Sequence, residues 1–149
     1  MAGFRSEDEI GNLVRRFSER TLPKSEWTHA AHWAVAIWLL GRHGPEAARE
    51  MPPLIRAYNE STGVANTPTS GYHETITLAS LRAALSWLND RPGVPQYLVL
   101  NEMLGTTLGR SDWLLRHWSK EALFAPTARF AWVEPDLAPL PYSALRAAD

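Results

Sequence analysis

The segment from Ala30 to Leu40 most constrains how this chain can fold, because every residue in it except His32 is apolar. Helical spacing puts these apolar side chains on all sides of one helix, and a helix of that kind is normally buried. A buried polar group without a partner costs about 1–3 kcal/mol, so a histidine in this helix needs one. The segment therefore predicts a central buried helix in which the His32 imidazole must have a bonding partner.

Two short motifs contain three of the five histidines, and both lie where a helix is expected to start. His29 and His32 lie three residues apart in WTHAAH (27–32), so their side chains share one face of the helix. His73 and Glu74 lie in GYHET (71–75), where a second strongly apolar segment begins. A spaced histidine pair on a buried helix, with a third histidine at another helix start, indicates a metal site.

The bulk composition limits the class of protein. The chain has 149 residues, of which 45% are hydrophobic and 21% charged, so we expect one globular domain over residues 1–149. The net charge is −1 and the basic residues are scattered, which argues against a nucleic-acid partner. There are no cysteines, which excludes disulfides, thiolate metal sites and a cysteine nucleophile.

The sequence also predicts the compartment. Residues 1–9 are polar and acidic and lack the apolar core of a signal peptide. No apolar run approaches the roughly 20 residues that are needed to span a bilayer. We therefore expect a cytoplasmic protein with no membrane partner. The sequence leaves open whether it forms a homo-oligomer.

Apolar periodicity predicts an all-α protein, a single compact bundle of at least four helices around residues 26–41 and 74–89. The central helix is expected to follow a Ser25 cap and to end at Gly41. Pro52 and Pro53 are expected to break or restart the next helix. The proline-rich residues 133–141 predict an extended C-terminal segment across the helices. Residues 61–71 form the longest predicted loop, which leads directly to the second histidine motif.

The main functional hypothesis is one divalent ion held by His29, His32 and His73. Three imidazoles leave coordination positions open for water or substrate, and they suit Zn, Fe, Cu or Ni. Glu74 would point about 100° away from His73 on a helix, so its predicted role is proton transfer or support of a ligand N–H. These residues predict a metal-dependent enzyme acting on a small-molecule substrate.

Other residues near the motifs have weaker indications. Four of them lie beside the histidines in sequence and are predicted to contact substrate: Trp27, Thr28, Tyr72 and Thr77. Four further polar residues have roles that the sequence leaves open: His43, His117, Glu134 and Asp136. Glu26 and His29 form a single Glu-x-x-His pattern, whereas a di-iron bundle needs two, so a dinuclear centre is not expected.

The motifs also resemble those of known proteins. WTHAAH, SGYHETIT (70–77) and the Ala128-Arg129 pair that leads into WVEPDLAPLP (132–141) resemble a set of small uncharacterised bacterial helical proteins. This resemblance covers about residues 22–141 and implies a shared fold without an activity. A looser likeness is to DinB-type bundles, which bind a divalent metal through three histidines on facing helices; the spacing of the histidines differs here.

Two alternatives to the metal enzyme stay open. In the first, His73 and Glu74 carry out metal-free acid–base chemistry in an aromatic pocket. In the second, the histidines are structural, and the bundle binds a ligand or a partner without catalysis.

Overall fold

All regular secondary structure in the described chain is helical, apart from an isolated bridge between Thr67 and Ser70. The structure is a computed structural model that describes residues 3–145. Its α-helices are α1 (Glu7–Ser18), α2 (His29–His43), α3 (Ala47–Ser61), α4 (Glu74–Asn89), α5 (Gln96–Leu104), α6 (Lys120–Leu123) and α7 (Pro126–Phe130). Short 3₁₀ turns cover Lys24–Glu26, Gly44–Glu46, Thr107–Gly109 and Trp113–Arg116. The predicted all-α bundle is therefore confirmed.

The central position of α2 follows from its apolar sequence. This helix contacts α1, α3, α4 and α5, and eight of its side chains are buried: Ala31, Trp33, Ala34, Val35, Ala36, Ile37, Leu39 and Leu40. These residues belong to one hydrophobic core that also includes buried side chains of the other long helices. No helix within residues 3–145 is long and apolar enough to cross a membrane.

The ends of α2 differ from those predicted. Thr28, not Ser25, is the N-cap, and its hydroxyl accepts a hydrogen bond from the Ala31 N–H at 3.2 Å. The helix ends at His43, and Gly44 follows with φ 57°. Gly41 has a packing role instead, because a Cβ there would lie 1.5 Å from the Gln96 side-chain nitrogen. The glycine lets the start of α5 approach α2 closely.

The prediction that Pro52 and Pro53 break the helix is wrong, since α3 runs through both residues. Each proline lacks an N–H, so the carbonyl four residues earlier, in Ala48 or Arg49, loses its helical donor. Neither of those residues is buried, so water can replace the missing bonds. The helix therefore continues while Met51 and Ile55 bury their side chains.

The loop over residues 61–71 is organised by one side chain. The Asn66 amide donates to the Arg56 carbonyl at 3.1 Å, and its oxygen accepts from the Tyr72 N–H at 3.0 Å. Gly71 has φ 81°, and a Cβ there would lie 2.5 Å from the Ala65 carbonyl oxygen. These contacts hold the loop against α3.

The C-terminal segment after α7 contains neither helix nor strand within the described residues and is tied to the bundle by polar contacts. The Thr75 hydroxyl donates to the Ala131 carbonyl at 2.9 Å, and the Trp118 indole donates to the Val133 carbonyl at 2.9 Å. Further along, the Ser119 N–H donates to the Asp136 carboxylate at 2.8 Å. The segment therefore crosses α4 and reaches the start of α6, as its proline content predicts.

The end of α1 contains a residue in a strained conformation. Arg20 has φ 63°, and the Thr21 N–H donates to the Arg16 carbonyl at 2.8 Å, which is the geometry of a Schellman C-cap. This left-handed conformation favours glycine, because a Cβ costs about 1 kcal/mol there.

We expect Arg20→Gly to raise the free energy of unfolding by about 1 kcal/mol, because it removes that cost from the native state. Chemical denaturation of wild type and variant measures the change. Arg20→Ala is the control, since it removes the exposed charge and keeps the Cβ. An equal gain from both variants would show that the charge, not the backbone, is responsible.

Candidate functional site

A cavity of about 300 Å³ lies beside α2 and contains both histidines of the first motif. Small-molecule sites have volumes of roughly 300–1,000 Å³, so this one is at the small end. We call it the histidine cavity. Its walls come from α2, α3, α4 and the segment that starts at Ser111, and its lining residues are His29, His32, Trp33, Met51, Ile55, Ile76, Thr77, Ser80, Ser111, Trp113 and Leu114.

His32 is oriented by the backbone one turn earlier. Its Nδ1 lies 2.9 Å from the Thr28 carbonyl oxygen, and because a carbonyl only accepts, Nδ1 carries the hydrogen. Its Nε2 therefore has a free lone pair. The His32 residue is partly exposed to solvent, but desolvation by the surrounding protein atoms lowers the pKa of its imidazole to about 4. The ring is neutral near pH 7.

His29 is fixed in the opposite tautomer. Its Nε2 lies 2.8 Å from the Leu108 carbonyl oxygen. The Trp33 indole N–H lies within hydrogen-bond distance of both atoms, 2.9 Å from that oxygen and 3.1 Å from Nε2, and the shorter contacts, both to the oxygen, decide the tautomer. If Nε2 were unprotonated, its lone pair would face the oxygen lone pairs at this distance, so Nε2 carries the hydrogen. The free lone pair of His29 is therefore on Nδ1.

His73 uses both of its ring nitrogens within the protein. Its Nε2 donates to the Leu123 carbonyl at 2.6 Å, and its Nδ1 accepts from the Ile76 N–H at 3.2 Å. The second contact makes His73 the N-cap of α4. Burial lowers the pKa of its imidazole, so the neutral form that these two contacts require is favoured. No lone pair is left for a metal.

The three predicted metal ligands are therefore not brought together. His29 and His32 share the histidine cavity, whereas His73 is not among its lining residues. Within residues 3–145, no group of three or more His, Cys, Asp or Glu side chains is arranged to hold a metal ion. The physical reason is that three backbone carbonyls and one backbone N–H bond to the imidazole nitrogens, and His73 uses both of its nitrogens in this way.

Glu74 and Tyr72 form a separate pair. The Tyr72 hydroxyl donates to the Glu74 carboxylate at 2.5 Å, and the Arg56 guanidinium lies 4.4 Å from the centre of the tyrosine ring. Burial, together with the hydrogen bond to Glu74, raises the pKa of the Tyr72 hydroxyl. Neither Tyr72 nor Glu74 lines the cavity, so the predicted catalytic carboxylate lies outside it.

The other predicted substrate contacts have different positions. Thr77 lines the cavity. Thr28 acts through its carbonyl, which orients His32. The Trp27 ring packs against the His32 ring at a tilt of 32°, with centroids 3.8 Å apart. Trp27 is itself stacked on Phe17, so it holds the imidazole in place.

The four residues whose roles the sequence left open all make structural contacts. His43 pairs with Glu50 at 2.7 Å. The His117 Nδ1 lies 3.1 Å from the Pro139 carbonyl oxygen. Glu134 accepts a hydrogen bond from the Trp132 indole, and Asp136 bonds to Ser119 at the start of α6.

Several lining residues carry no sequence signal for a site. From the sequence alone, Met51 and Ile55 are interpreted as ordinary core residues of a helix and Ser111 as a helix cap, yet all three line the cavity. Among these missed lining residues, Ser80 is the one for which the sequence gives an indication of a site, because it is a polar residue within the apolar α4 sequence.

Comparison of the chain with models of known families, with curated proteins and with solved structures finds no match. The resemblance to small bacterial helical proteins therefore stays a prediction.

We expect nitrogen NMR shifts at pH 7 to identify His32 as the Nδ1–H tautomer and His29 as the Nε2–H tautomer, because each N–H faces a carbonyl. A pH titration should give His32 a pKa near 4, against an ordinary value of 6.5. Titration of His32 near 6.5 would contradict the desolvated environment.

The lowered pKa of His32 also affects the stability of the protein. Because the unfolded chain binds more protons than the native state between pH 6.5 and about 4, His32 should make the protein less stable as the pH falls through this window. Denaturant unfolding across the window should show a weaker pH dependence in His32→Asn, whose amide can still reach the Thr28 carbonyl. His73 contributes in the same direction and is unchanged in this comparison.

Proposed function

We propose that this protein binds a small molecule in the histidine cavity and that His32 accepts a hydrogen bond from it. The observation that carries the proposal is the free Nε2 of a neutral imidazole in a cavity whose walls are mainly apolar. Such cavities, with few polar groups that fix orientation, are typical of small-molecule sites. Of the three functions that the sequence leaves open, this is the non-catalytic one.

Binding is favoured over proton transfer for an electrostatic reason. A general base becomes positively charged when it accepts a proton, and an effective one has a pKa near the working pH. Protonated His32 would have no carboxylate among the lining residues to compensate its charge. His73 has both nitrogens engaged and Glu74 is bonded to Tyr72, so the metal-free acid–base pair also lacks free groups.

A metal-binding version of the same cavity is the second candidate. Metal-ligating imidazoles usually donate their other N–H to a carbonyl or carboxylate, as His29 and His32 do. The thioether of Met51 lines the same cavity and is a soft ligand. Two imidazoles and a thioether favour copper among the predicted metals, with the bound molecule or water completing the coordination.

A cavity-filling variant tests the first candidate. We expect Ser80→Phe to weaken the binding of cavity ligands by about tenfold or more, because the ring occupies the space that they need. Ser86→Phe is the matched control, since Ser86 lies on the same helix and does not line the cavity. Saturation-transfer NMR with a library of small neutral fragments gives the ligands, and circular dichroism checks the fold. Fragments that bind both variants equally would contradict the proposal.

A metal titration tests the second candidate. If the pair holds a metal, excess copper or zinc should stabilise the wild type by about 2.7 kcal/mol at a hundredfold excess over Kd, and a chelator should reverse it. His32→Asn should lose this response, whereas His43→Asn should keep it, because His43 lies outside the cavity. An equal response in both variants, or none in the wild type, would exclude the metal site.

A further inference from the structure

The polar groups on two walls of the histidine cavity have already used their hydrogens. On α4, the Thr77 hydroxyl donates to the His73 carbonyl at 2.9 Å and the Ser80 hydroxyl donates to the Ile76 carbonyl at 2.7 Å. On α2, the His32 Nδ1–H donates to the Thr28 carbonyl at 2.9 Å. These three side chains can therefore only accept hydrogen bonds from a ligand, through their lone pairs.

The hydrogen-bond donors that remain available to a ligand lie on another wall of the cavity. The Trp33 indole is engaged by the Leu108 carbonyl. α3 contributes Met51 and Ile55, which have no hydrogen to donate. Ser111 and Trp113 line the cavity and carry a hydroxyl and an indole N–H, so the segment that starts at Ser111 is the wall that offers donors.

The cavity has no partner for a charged ligand. None of its lining residues is Asp, Glu, Lys or Arg, and desolvation keeps His32 neutral near pH 7. An ion that entered would lose its hydration without gaining an opposite charge. Organic anions and cations, which the imidazoles cannot coordinate as they could a metal ion, are therefore disfavoured.

We infer that the ligand is an uncharged molecule with an apolar body and a hydroxyl or N–H group, and that this group donates its hydrogen to the Nε2 of His32. The inference rests on the proposed function, since it specifies which molecules the histidine cavity takes. Thr77 and Ser80 add acceptor oxygens on the α4 wall of the same cavity.

The test uses four probes that share a benzene ring: benzyl alcohol, the isosteric ethylbenzene, benzoate and benzylammonium. Because the two neutral probes differ in hydration, the informative quantity is the ratio of their affinities in wild type and variant. We expect the preference for benzyl alcohol over ethylbenzene to fall about fivefold to tenfold in His32→Leu, which removes the acceptor. Ile55→Val changes the wall without removing an acceptor, and it should leave the ratio unchanged.

His32→Phe serves as a second variant if His32→Leu does not fold, because its ring has a similar size and offers no lone pair, while the Thr28 carbonyl still accepts from the backbone N–H of residue 32 at 3.1 Å. Binding of benzoate or benzylammonium as tight as that of benzyl alcohol would overturn the inference, as would an unchanged ratio in both His32 variants. Cavity ligands that are all charged would also overturn it while leaving the proposed function intact. If Ser80→Phe affects no ligand at all, the proposed function fails as well.

Discussion

The burial of α2 on nearly every side is the constraint on which the site depends. A polar side chain on such a helix must find a partner, and the nearest available partners are backbone carbonyls. The carbonyls of Thr28 and Leu108 take the N–H groups of His32 and His29. Each of these bonds fixes a tautomer and leaves one unprotonated nitrogen on the same ring. The accepting character of the histidine cavity is thus a consequence of how the central helix is packed.

Much of the fold could be predicted from local patterns, because helical periodicity and helix caps depend on contacts within a few residues. Ser6 and Ser119, for example, cap α1 and α6 by accepting from the N–H three residues later. The incorrect predictions concern residues whose structure is determined by contacts with other parts of the chain. The sequence predicts a helix end at Gly41. In the structure, the absence of a side chain at Gly41 lets Gln96 of another helix pack closely against it. Pro52 and Pro53 read as breaks, but buried neighbours in α3 hold the helix together across them. A preference of the local backbone is outweighed in each case by packing that the sequence does not display.

The candidate site could be predicted only in part, for a related reason. Spacing alone shows that His29 and His32 share a helix face, and both line the cavity. The fate of His73 depends on the Leu123 carbonyl, which is 50 residues away in sequence. A histidine at a helix start can be a ligand, a base or a cap, and only the positions of the surrounding donors and acceptors distinguish these roles. The same holds for Met51 and Ile55, whose place on a wall follows from the packing of α3.

The cavity has a physical consequence for the molecules that it can accept. Side chains that face each other across a gap forgo the dispersion contacts of a packed interior, so an apolar ligand of matching shape would restore contacts that the lining residues lack. Because such a ligand binds only the native state, its binding free energy would add to the stability of the bundle. With no charged residue on the walls, shape and the direction of one hydrogen bond to His32 would decide which molecule is retained. The absence of charged groups around the imidazole would therefore influence both its protonation state and the choice of ligand.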